Sequence, residues 1–234
     1  MKETTIESNT KKQTTSNNEK GRGSFILLEG CDRSGKTTQA KLLIEALKEK
    51  NQKVEFARFP DRTSEIGKVI DQYLKSSSND RNLRAVHLLF TANRWELMDG
   101  FVKKMKEEGV TYVIDRYAYS GIAYSMANGI DKEWCQKMES GLPKPDVVLF
   151  LDLSVEDASK RGEYGLERYE KKAFQQKVRD NYHELIEDNW KVLKNNININ
   201  VIDATQTKEE IAKQLLDISL KTIEESKNKP IQVI

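Results

Sequence analysis

The segment Gly30-Cys31-Asp32-Arg33-Ser34-Gly35-Lys36-Thr37 constrains this chain more than any other. It matches G-x-x-x-x-G-K-[ST], which ordinary residue frequencies produce about once in a hundred chains of this length. A short apolar run, Phe25-Ile26-Leu27-Leu28, precedes it. A helical pattern from about Lys36 to Lys50, with apolar Leu42, Leu43, Ala46 and Leu47, follows. Strand, glycine loop and helix in this order make an anion cradle. The glycines let backbone N–H groups turn inward, and the helix N-terminus aims its positive dipole end at the same point. Lys36 is then placed for the β/γ-phosphates of a nucleoside triphosphate, and Thr37 for Mg²⁺. The bland alternative is a glycine turn beside a solvated lysine.

The rest of the chain continues the rhythm. Val54 to Phe59 reads as a strand stopped by Pro60, Ser64 to about Leu74 as a helix, and Ser76 to Asp80 as a loop. Leu83 to Lys106 is a long helical pattern, with Val86, Leu89, Phe90, Leu97, Phe101 and Met105 at helical spacing. Tyr112 to Ile114 is a third strand, ending at Asp115. Val147 to Leu151 is a fourth, apolar throughout, as a strand buried on both faces should be. Ser154 to Asp157 and Thr207 to Glu210 fit helix capping boxes. A helix from about Ala173 to Leu193 and a fifth strand, Ile199 to Ile202, lie between them. Alternating strands and helices predict an α/β fold: a parallel sheet with helices on both faces.

Several function classes drop out. A GTPase needs an N-K-x-D base-reading segment, but the Asn228-Lys229 pair is followed by Pro230 and Ile231. A D-x-x-G switch is missing after the third strand, where Asp115 is followed by Arg116, Tyr117 and Ala118. The net charge is +2, from 39 Lys+Arg and 37 Asp+Glu. Residues 1–22 account for it, with five basic residues (Lys2, Lys11, Lys12, Lys20, Arg22) and three acidic ones (Glu3, Glu7, Glu19). The remaining 34 of each sign balance, which argues against a nucleic-acid polymer as partner. The longest apolar run has five residues, too short to span a membrane. Cys31 and Cys135 fit neither a disulfide framework nor a metal knuckle, so a reducing, cytoplasmic setting is expected, with nuclear presence left open. Residues 1–22 are read as a disordered tail, 23–226 as the folded domain and 227–234 as a C-terminal tail.

Outside the loop, Asp115-Arg116 ends a strand where a P-loop protein keeps a carboxylate beside its metal. Arg116 would project into the crevice at the carboxyl ends of the strands, where its fork suits a phosphate. A structural Asp–Arg pair is the alternative. Phe90 and Arg94 are four apart and share a helix face. They could stack on a base and read its edge, or could simply be core and surface. Arg33, inside the loop, could act as an arginine finger supplied in cis.

These residues closely resemble the thymidylate kinase family, in its eukaryotic and poxviral type. The resemblance is carried by Phe25–Gln39 (FILLEGCDRSGKTTQ), Arg58–Gly67 (RFPDRTSEIG), His87–Glu96 (HLLFTANRWE), Asp115–Gly121 (DRYAYSG), Gly141–Asp146 (GLPKPD) and Glu167–Gln175 (ERYEKKAFQ). It runs from about Gly23 to Leu220. It implies the P-loop nucleoside-monophosphate-kinase fold, with a five-stranded parallel sheet, flanking helices and a mobile LID at about 160–172. It also implies transfer of the γ-phosphoryl of ATP to dTMP with Mg²⁺, usually by a homodimer. A kinase for another deoxynucleotide, such as dUMP or dGMP, is the runner-up, and a nucleotide switch the distant third.

By the same resemblance, Arg33, Lys36, Asp115 and Arg116 carry catalysis. Gly30, Ser34, Gly35, Lys36, Thr37 and Thr38 bind ATP together with Arg33, while Arg161, Asp203 and Thr205 edge the adenine. Thr37 and Asp115 serve the Mg²⁺, partly through water. Asp32 meets the sugar 3′-hydroxyl region, and Arg62 and Arg116 the dTMP phosphate. Phe59 and Phe90 form the base pocket, and Arg94 reads the base edge. Ser120, Gly121 and Tyr124 complete it, with Tyr124 disfavouring a ribose 2′-hydroxyl. Tyr169 and Gln175 close over the substrate. Arg168 is the one basic LID residue before Tyr169, which matches the subtype with its catalytic Arg in the P-loop. Cys31 departs from the small apolar residue common at its position, and Gln206 from a basic residue found after the adenine loop in some members.

Overall fold

The computed structural model describes residues 21–76, 81–161, 168–188 and 197–234. The sequence readings of residues 1–20, the loop at 77–80, the LID at 162–167 and the helix continuation to Leu193 lie outside the described residues. In chain order the elements are β1 (Phe25–Glu29), α1 (Lys36–Glu49), β2 (Val54–Arg58), α2 (Glu65–Lys75), α3 (Leu83–Glu108), β3 (Thr111–Asp115), α4 (Ala118–Ala127), α5 (Lys132–Met138), β4 (Val147–Asp152), α6 (Val155–Lys160), α7 (Lys172–Glu187), β5 (Ile199–Asp203) and α8 (Lys208–Ser226).

The five strands form one parallel sheet in the order β2-β3-β1-β4-β5. Side chains alternate across it, so β1 serves both layers. Phe25 and Leu27 point into a core built with Tyr112, Ile114, Phe150 and Tyr182. Ile26 and Leu28 point into the opposite core, with Leu43, Leu149 and Ile211. The first layer holds α3, α4 and α7, and the second α1 and α8. The expected α/β architecture is therefore the one observed. Register then sets the site: Leu28 pairs with both Asp115 and Leu149, and Arg58 with Asp115. The carboxyl ends of β1, β2 and β3 thus finish at one level.

Two helices escape sequence reading. The α4 helix is packed between α3 and α7 and is apolar around most of its surface, so it shows no helical period. The α5 helix has only seven residues. Caps behave better. Thr207 and Glu210 make the full reciprocal box at α8. Ser154 makes half of one at α6: its hydroxyl accepts from Asp157 N–H but donates to the Asp157 carboxylate, leaving its own backbone N–H out of the exchange.

Arg22 and the last eight residues, placed outside the domain by the sequence reading, pack on it. The Arg22 guanidinium donates to Asp146 at 2.6 Å. Ile234 is buried, and its backbone exchanges hydrogen bonds with Gly141 and Leu142. A short antiparallel bridge, Pro143 to Val233, anchors this segment beside β4. No described helix is long and apolar enough to cross a membrane.

Candidate active site

The loop between β1 and α1 is shaped by its glycines. Gly30 sits at φ 146°, where a Cβ would lie 2.6 Å from the Leu151 carbonyl oxygen and 2.8 Å from Ser34 Oγ. Gly35, at φ 100°, precedes the first turn of α1. Lys36 opens that helix and folds back across the loop. Its Nζ donates to the Cys31 carbonyl at 2.6 Å and to Ser34 Oγ at 3.3 Å. Burial, with the Arg116 charge next, pushes the Lys36 ammonium down to about 8. An anion in the cradle would relieve this. Cys31 is buried and burial pushes its thiol up to about 12, so it is an inert filler. Thr38 is exposed one position beyond Thr37.

Beside the loop, Thr37 Oγ1 donates to Asp115 Oδ2 at 2.6 Å. Asp115 Oδ1 is buried and has no hydrogen-bond partner among the described residues. A hydroxyl oxygen next to an orphaned carboxylate oxygen is a hard-donor pair suited to Mg²⁺. No cluster of three or more His, Cys, Asp or Glu capable of holding a metal exists among the described residues. That is expected for an ion that takes most of its shell from water and phosphate.

Arg116 follows Asp115 at φ 71°, a left-handed conformation uncommon for a non-glycine residue. Its Nη2 donates to Asp32 Oδ1 at 2.5 Å, and its Nη1 to the Gly30 carbonyl and to Ser120 Oγ. Gln175 donates to the other Asp32 oxygen at 2.7 Å and to the Tyr169 carbonyl. Tyr169 stacks on Phe174 at 4.9 Å and meets Tyr124 edge-on. Asp32, Arg116, Ser120, Tyr124 and Tyr169, together with Phe59, Phe90, Arg62 and Arg94, line a cleft of about 920 Å³, open mouth included. On the far side of the loop, Arg161 donates to the Arg33 and Ala204 carbonyls. It thereby joins the phosphate loop to the Asp203–Thr205 turn, where Asp203 accepts from Thr205 N–H and Oγ1.

The thymidylate kinase family model matches residues 28–215. The chain belongs to the thymidylate kinase family. A Danio rerio thymidylate kinase is 46% identical over 214 residues, covering 90% of this chain and 96% of its own length. The Homo sapiens thymidylate kinase is 42% identical with the same coverage. The solved structure of thymidylate kinase from Candida albicans matches with a TM-score of 0.79 and 38% identity, over 92% of this chain and 99% of that one. The fold is accordingly the P-loop nucleoside-monophosphate-kinase fold, and the chain is a thymidylate kinase.

Within that family frame, the residues expected at the acceptor side are brought to one cleft: Asp32, Phe59, Arg62, Phe90, Arg94, Arg116, Ser120, Gly121, Tyr124 and Tyr169 line it, with Gln175 bonded to its rim. The arginines of the site do not stand as isolated charges. Four of them each face a carboxylate: Arg116 with Asp32, Arg62 with Asp71, Arg33 with Glu170, and Arg94 with Glu139. Several of these partners were missed by sequence reasoning. So was Glu29, a buried carboxylate that accepts from Tyr117 N–H, Ser120 N–H, Ser120 Oγ and the Tyr182 hydroxyl. It ties the start of α4 to the end of β1. Its one visible signal is an acidic residue closing an otherwise apolar strand, directly before the glycine loop. Arg58, 3.8 Å from Asp115 and lining the cleft, was likewise not singled out.

Proposed function

We propose that this chain transfers the γ-phosphoryl group of ATP to the phosphate of dTMP, releasing ADP and dTDP, with Mg²⁺ as cofactor. The observation that carries the reading is a shared wall. Arg116 bonds to Gly30 in the phosphate loop and to Asp32 in the aromatic-lined pocket. A triphosphate cradle and an aromatic-lined cleft therefore meet at one guanidinium.

The roles follow from chemistry and position. Gly30, Ser34, Gly35 and Thr38 offer loop and helix N–H groups to ATP, and Lys36 turns from the Cys31 carbonyl to the phosphates. Arg33, at the loop's tip, faces the transferring group. Arg161, Asp203 and Thr205 edge the adenine. On the acceptor side, Arg62 and Arg116 exchange Asp71 and Asp32 for the dTMP phosphate. Freed Asp32 turns to the 3′-hydroxyl region. Phe59 and Phe90 wall the base, Arg94 reads its edge, and Ser120, Gly121 and Tyr124 close the sugar side. Tyr169 and Gln175 cover the complex and exclude water that would otherwise hydrolyse ATP. Thr37 and Asp115 would hold Mg²⁺, which would supply positive charge to neutralise the reacting phosphates. The acceptor is a phosphate with a second pKa near ~6, so it arrives as a nucleophile and no protein base is needed.

A panel of dTMP, dUMP, dGMP and dCMP, read by coupled ADP release, tests the reading. The expected result is fastest turnover with dTMP and background turnover without an acceptor. Another nucleotide as best acceptor would reassign the substrate, and acceptor-independent turnover would favour a nucleotide switch. A homodimer is also proposed, on the support of Leu88 and Trp95. Both are more than a third exposed and lie two turns apart on one face of α3. Sedimentation at micromolar concentration reads it directly. The reading places the reaction in the cytoplasm, supported by two buried cysteines that form no disulfide.

A further inference from the structure

The base-facing end of the cleft contains a buried charge arrangement that the reaction itself does not use. Arg94 and Glu139 are both almost fully buried. Arg94 Nε donates to Glu139 Oε2 at 2.9 Å, and Arg94 Nη2 donates to Glu139 Oε1 and, at 3.3 Å, to Thr91 Oγ1. One whole edge of the guanidinium is thus spent on protein groups. The remaining nitrogen, Nη1, has no protein acceptor among the described residues, and Arg94 lines the cleft.

The pair is held from every side. Thr91 Oγ1 donates to Glu139 Oε1 at 3.0 Å. Gly121 of α4 lies flat against it: a Cβ there would come within 2.8 Å of Arg94 Nη2 and 3.1 Å of Glu139 Oε1. His87 Nε2 is 3.5 Å from the same Glu139 oxygen. Burial and the Arg94 charge push His87 down to about 4, so it is neutral near pH 7 and leaves Arg94 as the one cation on the carboxylate among the described residues.

We propose that Glu139 is a specificity-positioning residue, which fixes Arg94 so that a single nitrogen, able only to donate hydrogen bonds, faces the base. Such a group accepts a pyrimidine with a carbonyl at position 4, as in thymine and uracil. It repels one with an amino group there, as in cytosine, because two donors would then face each other without an acceptor. A mobile guanidinium could swing aside and admit either. A guanidinium clamped on its other edge cannot. The inference rests on the proposed dTMP reading and assigns its base selectivity to a residue 45 positions away in the chain.

The test uses the full chain and three nucleotides, dTMP, dUMP and dCMP. Wild type is measured first; if it does not prefer dTMP and dUMP over dCMP, the substrate reading itself fails. Glu139→Gln replaces one acceptor oxygen by a donor facing Arg94. It is expected to raise KM for dTMP at least tenfold and to lower the dTMP/dCMP ratio of kcat/KM at least tenfold, while kcat for dTMP and KM for ATP stay within about threefold. Glu139→Asp keeps the charge with a shorter reach and is expected to fall between the two; it also supplies the readout if the Gln variant does not fold. Two results would overturn the proposal. One is an unchanged dTMP/dCMP ratio in the variant that folds. The other is a parallel loss in kcat, KM for ATP and KM for dTMP, which a merely structural carboxylate would give.

Discussion

Replacing Arg33 separates what the phosphate loop does from what it costs to build. Arg33 sits at φ 65°, the left-handed region, which is unfavourable by ~1–2 kcal/mol for a residue with a Cβ. Its contact with Glu170 is long, 3.4 Å, and its side chain is 28% exposed, so that pair contributes only ~0–1 kcal/mol. Arg33→Ala keeps the backbone strain and loses the pair. Arg33→Gly relieves the strain, offset by the ~0.5–1 kcal/mol that glycine's freedom in the unfolded chain takes back. The glycine variant is therefore expected to be more stable than the alanine variant by about 0.5–1 kcal/mol, or ~1–4 °C in Tm. Activity should move differently. A cis arginine acting on the transferring phosphoryl group is worth ~10³–10⁵ in rate, about 4–7 kcal/mol. Both variants should lose at least two decades of kcat in a coupled ADP-release assay at saturating ATP and dTMP, with little change in KM for dTMP. Calorimetric melting of the same preparations gives the stability arm. Turnover within tenfold of wild type would refute the catalytic role. Alanine and glycine variants of equal Tm would refute the strain argument.

Three further outcomes are expected. Burial, with the Arg94 charge next, pushes folded His87 from its ordinary value of 6.5 down to about 4. The unfolded chain binds the extra proton, so stability is complete above pH 6.5 and falls as pH drops toward 4, by up to about 3 kcal/mol. Urea denaturation between pH 4 and 7 should show this slope, and His87→Gln should flatten it. Asp115→Asn weakens the donor set beside Thr37 and should raise the Mg²⁺ needed for half-maximal turnover by ~10–100-fold, read by Mg²⁺ titration at fixed ATP. Ile234→Ala empties a buried position far from the cleft and should cost about 2 kcal/mol by denaturant titration, with kcat retained.

The phosphate loop was legible because its chemistry is contiguous: Gly30, Gly35, Lys36 and Thr37 fall within eight adjacent positions at the spacing one backbone geometry requires. Asp115 and Arg116 were legible because a strand end puts them in the crevice. Arg94 was visible as a helix-face neighbour of Phe90, but its orientation was not. That depends on Glu139, which lies in the connector between α5 and β4 and looks in sequence like any solvated acid. The carboxylates opposite Arg62 and Arg33 were hidden for the same reason, since pairing across elements leaves no periodic trace. Tyr73 and Phe174, which contact Tyr169 by hydroxyl and ring, each read as ordinary helix residues. The α4 helix was hidden by its own burial, since a helix enclosed on most sides has no polar face to set a period.

The strand order has a consequence for synthesis. The β1 strand, which carries the phosphate loop, sits at the centre of the sheet, yet both its neighbours come later in the chain. The bond from Ser24 to Thr111 spans 87 residues, and that from Phe25 to Asp146 spans 121. At ~5–20 residues per second, the ribosome needs roughly 6–24 s to cover the longer gap. Throughout that interval Phe25 to Leu28 have no completed sheet to enter, and they are a candidate chaperone contact. A nascent chain stopped before Val147 lacks the β4 neighbour of β1 and the Leu151 carbonyl against which Gly30 turns. The phosphate loop therefore lacks part of its supporting wall until translation has passed β4.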